Sequence, residues 1–519
     1  MTEAIYILFG AAALFALVLC TIKYMHFFQL NSYKFAEHKS WLLRRRGPLM
    51  LTAIIAALTA LGVVFGELFG GIIAILMSLI YAAVSKPKPK KLSKKPLVFT
   101  ARVKRMLVTE YVIIFIAAVL SLMLIPLWAL PFAAAVLFLI CPYLNLAANL
   151  INSPIEKAIC NYYINDAKKL LASHPDLKVV GITGSYGKTG TKYALSTILS
   201  QKYDVLMTPA SYNTPMGVVK TIRSSLRATH EIFVCEMGAK YVGDIDELCR
   251  IVDADIGIIT SVGAQHLETF GDLESIVKTK FELADYLSAR GKRTVVGYGN
   301  EIIDRELDAR RPEDFISASK DFSVSDISAD ELGTSFTLTI KSGESVRLTV
   351  SLLGAHNVSN IACAAVTAHE LGMTLDEIRL AAKRIKPAPH RLEMSRRGKD
   401  ILIDDAYNAN PAGTRAALNA LSLFDGCRII VTPGMIELGS ESERFNRELG
   451  ENAARICDFI VLVGKRQTGP IALGALTAGF DENRLKIFER VEDAINFAFS
   501  ASTDKRRIVL IENDLPDNY

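Results

Sequence analysis

Five apolar runs of membrane length crowd into the first 150 residues, at about 4–22, 49–65, 68–84, 109–125 and 127–147. Each approaches the roughly 20 residues that a helix needs to cross a bilayer. Packed this densely they leave no polar face for water, so buried helices of a soluble domain fit the pattern poorly. A cleaved signal peptide fits no better. The first run has neither a basic leader nor an A-x-A site, and more runs follow it. The sequence therefore predicts a bundle of about five transmembrane helices over residues 1–150.

The connections between the runs predict an orientation. Residues 23–48 carry Lys23, Lys34, Lys39, Arg44, Arg45 and Arg46 against Glu37, and residues 86–108 carry nine Lys and Arg with no acid. The connections near 66–67 and 126–127 carry no Lys or Arg. The positive-inside rule puts both basic loops in the cytosol and the N-terminus outside. An odd number of spans then delivers residue 150 onward to the cytosol, so the chain is expected to be an integral protein of the cytoplasmic membrane. The formal net charge of +5 hides this partition, because the two basic loops hold +14 and leave the remainder near −9. A mildly acidic remainder argues against nucleic acid as a partner. The basic loops read as topology signals or as contacts with anionic lipid. Eight cysteines with no C-x-x-C suit a reducing compartment, without a disulfide framework or a zinc site.

Asn152-Ser153-Pro154 is expected to end the membrane region. Residues 155–171 should then form an amphipathic helix on the bilayer surface, with Tyr162 and Tyr163 at interface depth, inside a juxtamembrane linker over 151–176. From 177 to 386 short β-rich runs alternate with helical segments, the pattern of a parallel sheet with crossover helices. Candidate strands fall at 178–183, 204–207, 231–235, 256–260 and 294–296. An antiparallel stretch covers about 323–353, followed by a helix over about 357–371. Pro387-Ala388-Pro389 marks a hinge. A second alternating unit fills 387–519, with strands near 401–404, 428–432, 459–463, 485–488 and 508–511. The expected class is α/β: a central parallel-sheet domain like that of P-loop ATPases and a Rossmann-like C-terminal domain, behind the helical bundle.

The sharpest chemical signal is the turn Gly181-Ile182-Thr183-Gly184-Ser185-Tyr186-Gly187-Lys188-Thr189, which follows an apolar run and opens a helix over about 188–200. Backbone N–H groups of Gly184, Ser185, Tyr186 and Gly187 and the helix N-terminus can face the phosphates of a nucleotide. Lys188 can neutralise phosphate oxygens, and the Thr189 hydroxyl can ligate Mg2+. Ile182 stands where the strict pattern has a glycine, and a glycine-rich turn of purely structural purpose remains the plain alternative. Glu236 closes the apolar strand before it, and His266 follows the strand at 256–260. Each alone is more often structural. Side by side at the carboxyl ends of strands in one sheet, they form a candidate metal site.

Together these strings resemble the Mur ligase family, most of all its D-alanyl-D-alanine-adding branch. The resemblance rests on Thr183–Thr189 together with Asn213-Thr214-Pro215-Met216-Gly217, Glu236-Met237-Gly238-Ala239, His266-Leu267-Glu268-Thr269-Phe270-Gly271 and Lys278-Thr279-Lys280-Phe281-Glu282. It continues through Gly354-Ala355-His356-Asn357-Val358-Ser359-Asn360, His390-Arg391-Leu392-Glu393, Asp404-Asp405-Ala406-Tyr407-Asn408-Ala409-Asn410-Pro411 and Gly434-Met435-Ile436-Glu437-Leu438-Gly439. Order and spacing match over roughly 177–465. The resemblance implies that Lys188 and Thr189 hold ATP phosphates and Mg2+, and that Glu236 and His266 bind metal. Lys280 matches a lysine that the family carbamylates to gain a metal-binding carboxylate; an unmodified lysine on a helix surface is the alternative. Asn357 and Asn360 are implied on the adenine side, and Arg391 as reaching the nucleotide from the last domain. Asp405, Tyr407, Asn408 and Asn410 are implied where ATP meets the incoming amine, with Asn213 and Thr214 on the substrate side.

The implied activity is an ATP-dependent, ADP-forming amide ligase of bacterial cell-wall synthesis, working through an acyl phosphate, with D-Ala-D-Ala as amine. Family members begin with a soluble domain that grips a UDP-sugar, and the apolar runs stand in its place here. That leaves the carboxylate acceptor open between a UDP-muramoyl-tripeptide, a lipid-linked precursor and a capsular peptide such as poly-γ-glutamate. A membrane anchor raises the local concentration of a membrane-bound substrate and does little for a soluble one. A non-enzymatic scaffold for other cell-wall enzymes would not be expected to keep Lys188, Thr189, Glu236, His266 and Lys280. A transport ATPase would need ionisable groups in mid-bilayer, whereas the runs hold only Glu67 and Glu110 near their ends. The tail at 511–519 departs from the family pattern, and no role is assigned to it.

Overall fold

The computed structural model describes residues 2–31, 33–44, 46–86, 96–210, 212–265, 267–318, 320–407, 410–436, 438–464 and 468–513. They fall into two compact units that part at Asn161 and Tyr162.

The first unit is helical: α1 (Thr2–Leu30), α2 (Phe35–Arg44), α3 (Arg46–Leu61), α4 (Gly66–Ser85), α5 (Ala101–Leu124), α6 (Leu130–Ile140) and the first half of α7 (Leu144–Ala172). Phe9, Leu17, Ile55, Tyr81 and Phe138 pack in its interior, while Ile7, Phe69, Phe115, Leu122 and Phe132 point outward. Helices that are apolar all round cannot be solvated by water on the outside. Among the described residues, four stretches are long and apolar enough to cross a membrane: Thr2–Leu30, Gly66–Ser85, Ala101–Leu124 and Leu127–Ala172. The expected run at 49–65 is a shorter apolar helix, Leu49–Leu61, continued by a 3-10 turn, Gly62–Phe65. It packs on α4 and α6.

Two expectations are corrected here. Glu110 does not sit at a helix end; α5 begins nine residues earlier, at Ala101, and the Glu110 side chain is fully buried. Nor does a separate helix begin at 155, because α7 runs through Pro154. A proline inside a helix removes one backbone hydrogen bond, but α5 clamps α7 on both sides of this one. Asn152 Nδ2 donates to Thr109 Oγ1 at 2.8 Å, and Arg105 pairs with Glu156 at 2.8 Å.

The second unit begins with a six-stranded parallel sheet of order β2-β3-β1-β4-β5-β6. Its elements run β1 (Lys178–Thr183), α8 (Lys188–Leu199), β2 (Val205–Met207), α9 (Pro215–Ser225), β3 (Ile232–Glu236), α10 (Asp244–Val252), β4 (Ile256–Ile259), α11 (Leu267–Phe270), α12 (Leu273–Ser288), β5 (Thr294–Val296), α13 (Glu301–Asp308) and β6 (Phe315–Ile316). An antiparallel sheet β7 (Phe322–Asp330), β8 (Gly333–Ile340) and β9 (Ser345–Val350) follows, then α14 (Asn357–Glu370) and α15 (Leu375–Ala382). Leu195 and Ile198 of α8 share a core with Ile361 and Ala365 of α14. The far face of the parallel sheet is covered by α10 and α12 through Leu248 and Leu283.

The C-terminal part is a second six-stranded sheet, order β10-β11-β15-β12-β13-β14. It comprises β10 (Glu393–Arg397), β11 (Asp400–Asp405), α16 (Pro411–Ser422), β12 (Cys427–Thr432), α17 (Ser442–Ile456), β13 (Phe459–Val463), α18 (Thr468–Thr477), β14 (Leu485–Phe488), α19 (Val491–Ser500) and β15 (Arg507–Glu512). All its pairings are parallel except the β10 edge. The strands expected from sequence are present, and the fold class holds for both sheet domains. The edge strands β6 and β10 are additions.

Candidate active site

The order of the first sheet creates the site. β1 lies between β3 and β4, so the chain leaves it in opposite directions and the carboxyl ends of three strands open into one crevice. Gly184 follows β1 with φ +145° and Gly187 precedes α8 with φ +84°, backbone shapes that side chains resist. A Cβ at Gly184 would collide with Thr260, and one at Gly187 with the Asn360 amide. The segment after β4 pins this loop. Ser185 N donates to Ser261 O at 2.7 Å, Ser185 Oγ to Gly263 O at 2.9 Å, and Tyr186 Oη to Ala264 O at 2.6 Å.

Lys188 curls back over the turn, its Nζ donating to Gly184 O at 2.6 Å and Ser185 O at 3.1 Å. Burial pushes its ammonium down to about 8, against the pull of Glu236, and the Arg391 charge adds to the push. Glu236 is the hub of the polar cluster. Its carboxylate accepts from Thr189 Oγ1 at 3.1 and 3.2 Å and from Asn213 Nδ2 at 3.1 Å. It also pairs with Lys192 at 2.9 Å. Lys192 was not singled out from sequence. It lies one helical turn beyond Lys188 on the same face of α8, and that i, i+4 spacing was the available signal. Its second contact, 2.5 Å to Ala210 O, ties the helix to the segment after β2.

Lys280 is buried in α12, its Nζ 5.8 Å from the Phe270 ring centroid. Burial, reinforced by the Lys188 charge, lowers it to about 7, so the surface-lysine alternative does not hold. Thr214 and Asn410 cap helices: Thr214 Oγ1 accepts from Gly217 N at 3.4 Å and Asn410 Oδ1 from Gly413 N at 2.8 Å. Asn357 donates to Leu353 O at 2.8 Å within its own turn, whereas Asn360 lies against Gly187 of the loop. Among the described residues no three His, Cys, Asp or Glu groups cluster as a metal site. His266 and Asn408 lie outside the described residues.

The C-terminal domain contributes Arg391. It sits between His390 and Leu392, which hold φ +58° and +48°, and its guanidinium lies 4.8 Å from the centre of the Tyr407 ring. His390 Nδ1 meets Asp404 Oδ2 at 2.8 Å, and Asp405 Oδ1 accepts from Leu392 N at 3.1 Å. Both tethers hold the arginine where its charge is felt at Lys188 and at Asp405.

A glycine cradle whose space a Cβ would fill, a lysine and an arginine converging on it, and a hydroxyl and a carboxylate as hard oxygen donors fit a nucleotide with Mg2+. The class defined here is a two-domain α/β protein with a phosphate loop. The Mur ligase middle domain matches residues 182–368, and the Mur ligase glutamate ligase domain matches residues 390–512. The chain belongs to the Mur ligase family.

It is 33% identical over 297 residues to the UDP-N-acetylmuramoyl-tripeptide–D-alanyl-D-alanine ligase of Escherichia coli, covering 56% of this chain and 65% of that protein. It thus spans just under two thirds of that relative's length. The crystal structure of MurF from Acinetobacter baumannii superposes with TM-score 0.63 at 27% identity, over 68% of this chain and 77% of that one. MurF from Thermotoga maritima in complex with ADP gives TM-score 0.60 at 26% identity, over 68% and 80%.

Proposed function

We propose that the chain is a membrane-anchored, ATP-dependent ligase that joins D-alanyl-D-alanine to the terminal carboxylate of a UDP-muramoyl-tripeptide, releasing ADP and phosphate. The observation that carries it is Arg391 of one domain brought to the Lys188 loop of the other, with Thr189 and Glu236 beside that loop. In this reading the acceptor carboxylate attacks the terminal phosphorus of ATP, and ADP departs. The amine then attacks the acyl carbon and displaces phosphate. Lys188 and Arg391 hold and neutralise the phosphate oxygens, and Glu236 is held in place by Lys192, Asn213 and Thr189. Mg2+, held by Thr189 and Glu236, would screen the remaining phosphate charge.

Lys280 suits carbamylation. An amine at about 7 is largely neutral at cytosolic pH, and only the neutral amine adds to CO2. The product would put an anionic oxygen ligand beside Lys188 in place of the amine. Asp405 and Tyr407 stand on the amine side of the cleft, and Asn360 on the nucleotide side.

The apolar helices of the first unit are the anchor, in the cytoplasmic membrane of a bacterium, with both sheet domains in the cytosol and other cell-wall enzymes as neighbours. The basic loops put the N-terminus outside, so an odd number of crossings is required. The four long stretches supply an even number. α3 with its 3-10 extension, residues 46–65, is about 30 Å long at the usual rises and supplies the fifth. The test of function is mass spectrometry of the product formed by purified protein from ATP, D-Ala-D-Ala and UDP-muramoyl-tripeptide. ADP formation that depends on both substrates supports the reading. Turnover only with a lipid-linked or capsular acceptor would replace it.

A further inference from the structure

β15 ends in a carboxylate that nothing in the ligase reading uses. Glu512 stands opposite Asp405 in the parallel pairing of β15 with β11, at the carboxyl ends of the central strands of the C-terminal sheet. Its side chain is about 1% exposed. Oε1 accepts from Thr414 Oγ1 at 2.8 Å, and the buried Oε2 has no hydrogen-bond donor among the described residues. Asp405, within hydrogen-bonding reach of Glu512, is only partly buried. Two carboxylates in contact in a desolvated site cannot both stay ionised. A proton between them supplies the donor that Oε2 lacks and leaves the pair with a single negative charge.

We propose that Glu512 is a positioning residue: it holds a proton against Asp405 and fixes that carboxyl as the seat where the ammonium group of the incoming amine docks and is deprotonated. The groups facing the pair agree. Arg391 approaches from the preceding loop and Asp404 sits beside Asp405 in β11. Thr414 comes from α16, Asn513 N donates to Asp405 O at 3.2 Å, and His390 is engaged by Asp404 at 2.8 Å. Burial pushes both carboxyls up, Glu512 the further of the two, which makes Asp405 a better base near neutral pH than a solvated aspartate. The ammonium gives one proton to Asp405. Its nitrogen then forms the bond to the acyl carbon, the carbon–oxygen bond to phosphate breaks, and the second proton leaves with phosphate.

This inference rests on the ligase reading, and two rates separate them. Oxygen positional exchange within ATP, driven by the acceptor alone, reports carboxylate activation without the amine. The kcat/KM for D-Ala-D-Ala against pH reports the amine step. For the purified full-length chain, Glu512→Gln should lower kcat/KM for D-Ala-D-Ala at least tenfold and move the acidic limb of its pH profile downward, with positional exchange falling far less. Thr414→Val, which removes the hydroxyl that meets Oε1 at 2.8 Å along with Asn410 O at 2.9 Å and Met435 Sδ at 3.4 Å, should do the same more weakly. An unchanged pH profile, or equal loss of both rates in both variants, overturns the role of Glu512. Absence of acceptor-driven exchange in the unmodified chain overturns the ligase reading itself, and this inference with it.

Discussion

Lys192 and Glu236 form an ion pair of 2.9 Å in which the two side chains are 0% and 2% exposed. Such a pair is held together by what each charge would suffer alone in a desolvated place. Lys192→Met should therefore cost about 3–5 kcal/mol in urea unfolding, the range for stranding one partner of a buried pair. Adding Glu236→Gln should recover most of that stability while leaving ATP turnover low. A single variant with unaltered stability would show the pair to be incidental.

Lys188→Ala should abolish ATP turnover with little change in stability, since among the described residues that side chain bonds only to carbonyls of its own loop. Gly184→Ala acts differently. At φ +145° the new methyl group would run into Thr260, so turnover should fall at least about 100-fold with a lowered melting temperature. Steady-state ADP release and calorimetry on both proteins distinguish the two outcomes.

Lys280 near 7 and Lys188 near 8 lie well below the roughly 10.4 of a free lysine. Between those values and about 10.4 the unfolded chain binds more protons than the folded one, so unfolding free energy rises with pH across that window. Below pH 7 both lysines are charged and their burial penalty is complete. Lys280→Met should remove its share of the slope, as measured by denaturant unfolding at pH 6.5 and 9.5. Carbamylation should also grow as pH rises through 7, visible as a 13C signal from labelled bicarbonate that Lys280→Met abolishes.

The topology is testable one residue at a time. Val64, 79% exposed at the end of the short apolar helix, should react as Val64→Cys with a membrane-impermeant maleimide added outside intact cells. Lys39→Cys and Lys104→Cys should react only after permeabilisation. Protection at position 64 would mean that α3 does not cross.

Much of this architecture was legible because buried parallel strands are short apolar runs. β1, β5 and β13 stand where the periodicity put them, for a strand covered on both faces must be hydrophobic throughout. β10 escaped because all five of its residues are exposed, and a solvated edge strand leaves no such trace. β6 is two residues long. The helix expected over 155–171 is instead the second part of α7, because contacts from α5 on both sides of Pro154 hold the helix together.

By itself the sequence determined the order of elements, the phosphate loop and the chemical identity of its donors, because these depend on neighbours along the chain and on side-chain type. Only the tertiary structure decided that Lys192 completes the Glu236 cluster and that Asp405 faces Glu512 across two strands. Those relationships join residues far apart in the chain. Burial and the charge of neighbours set their chemistry, and neither exists until the sheets have formed.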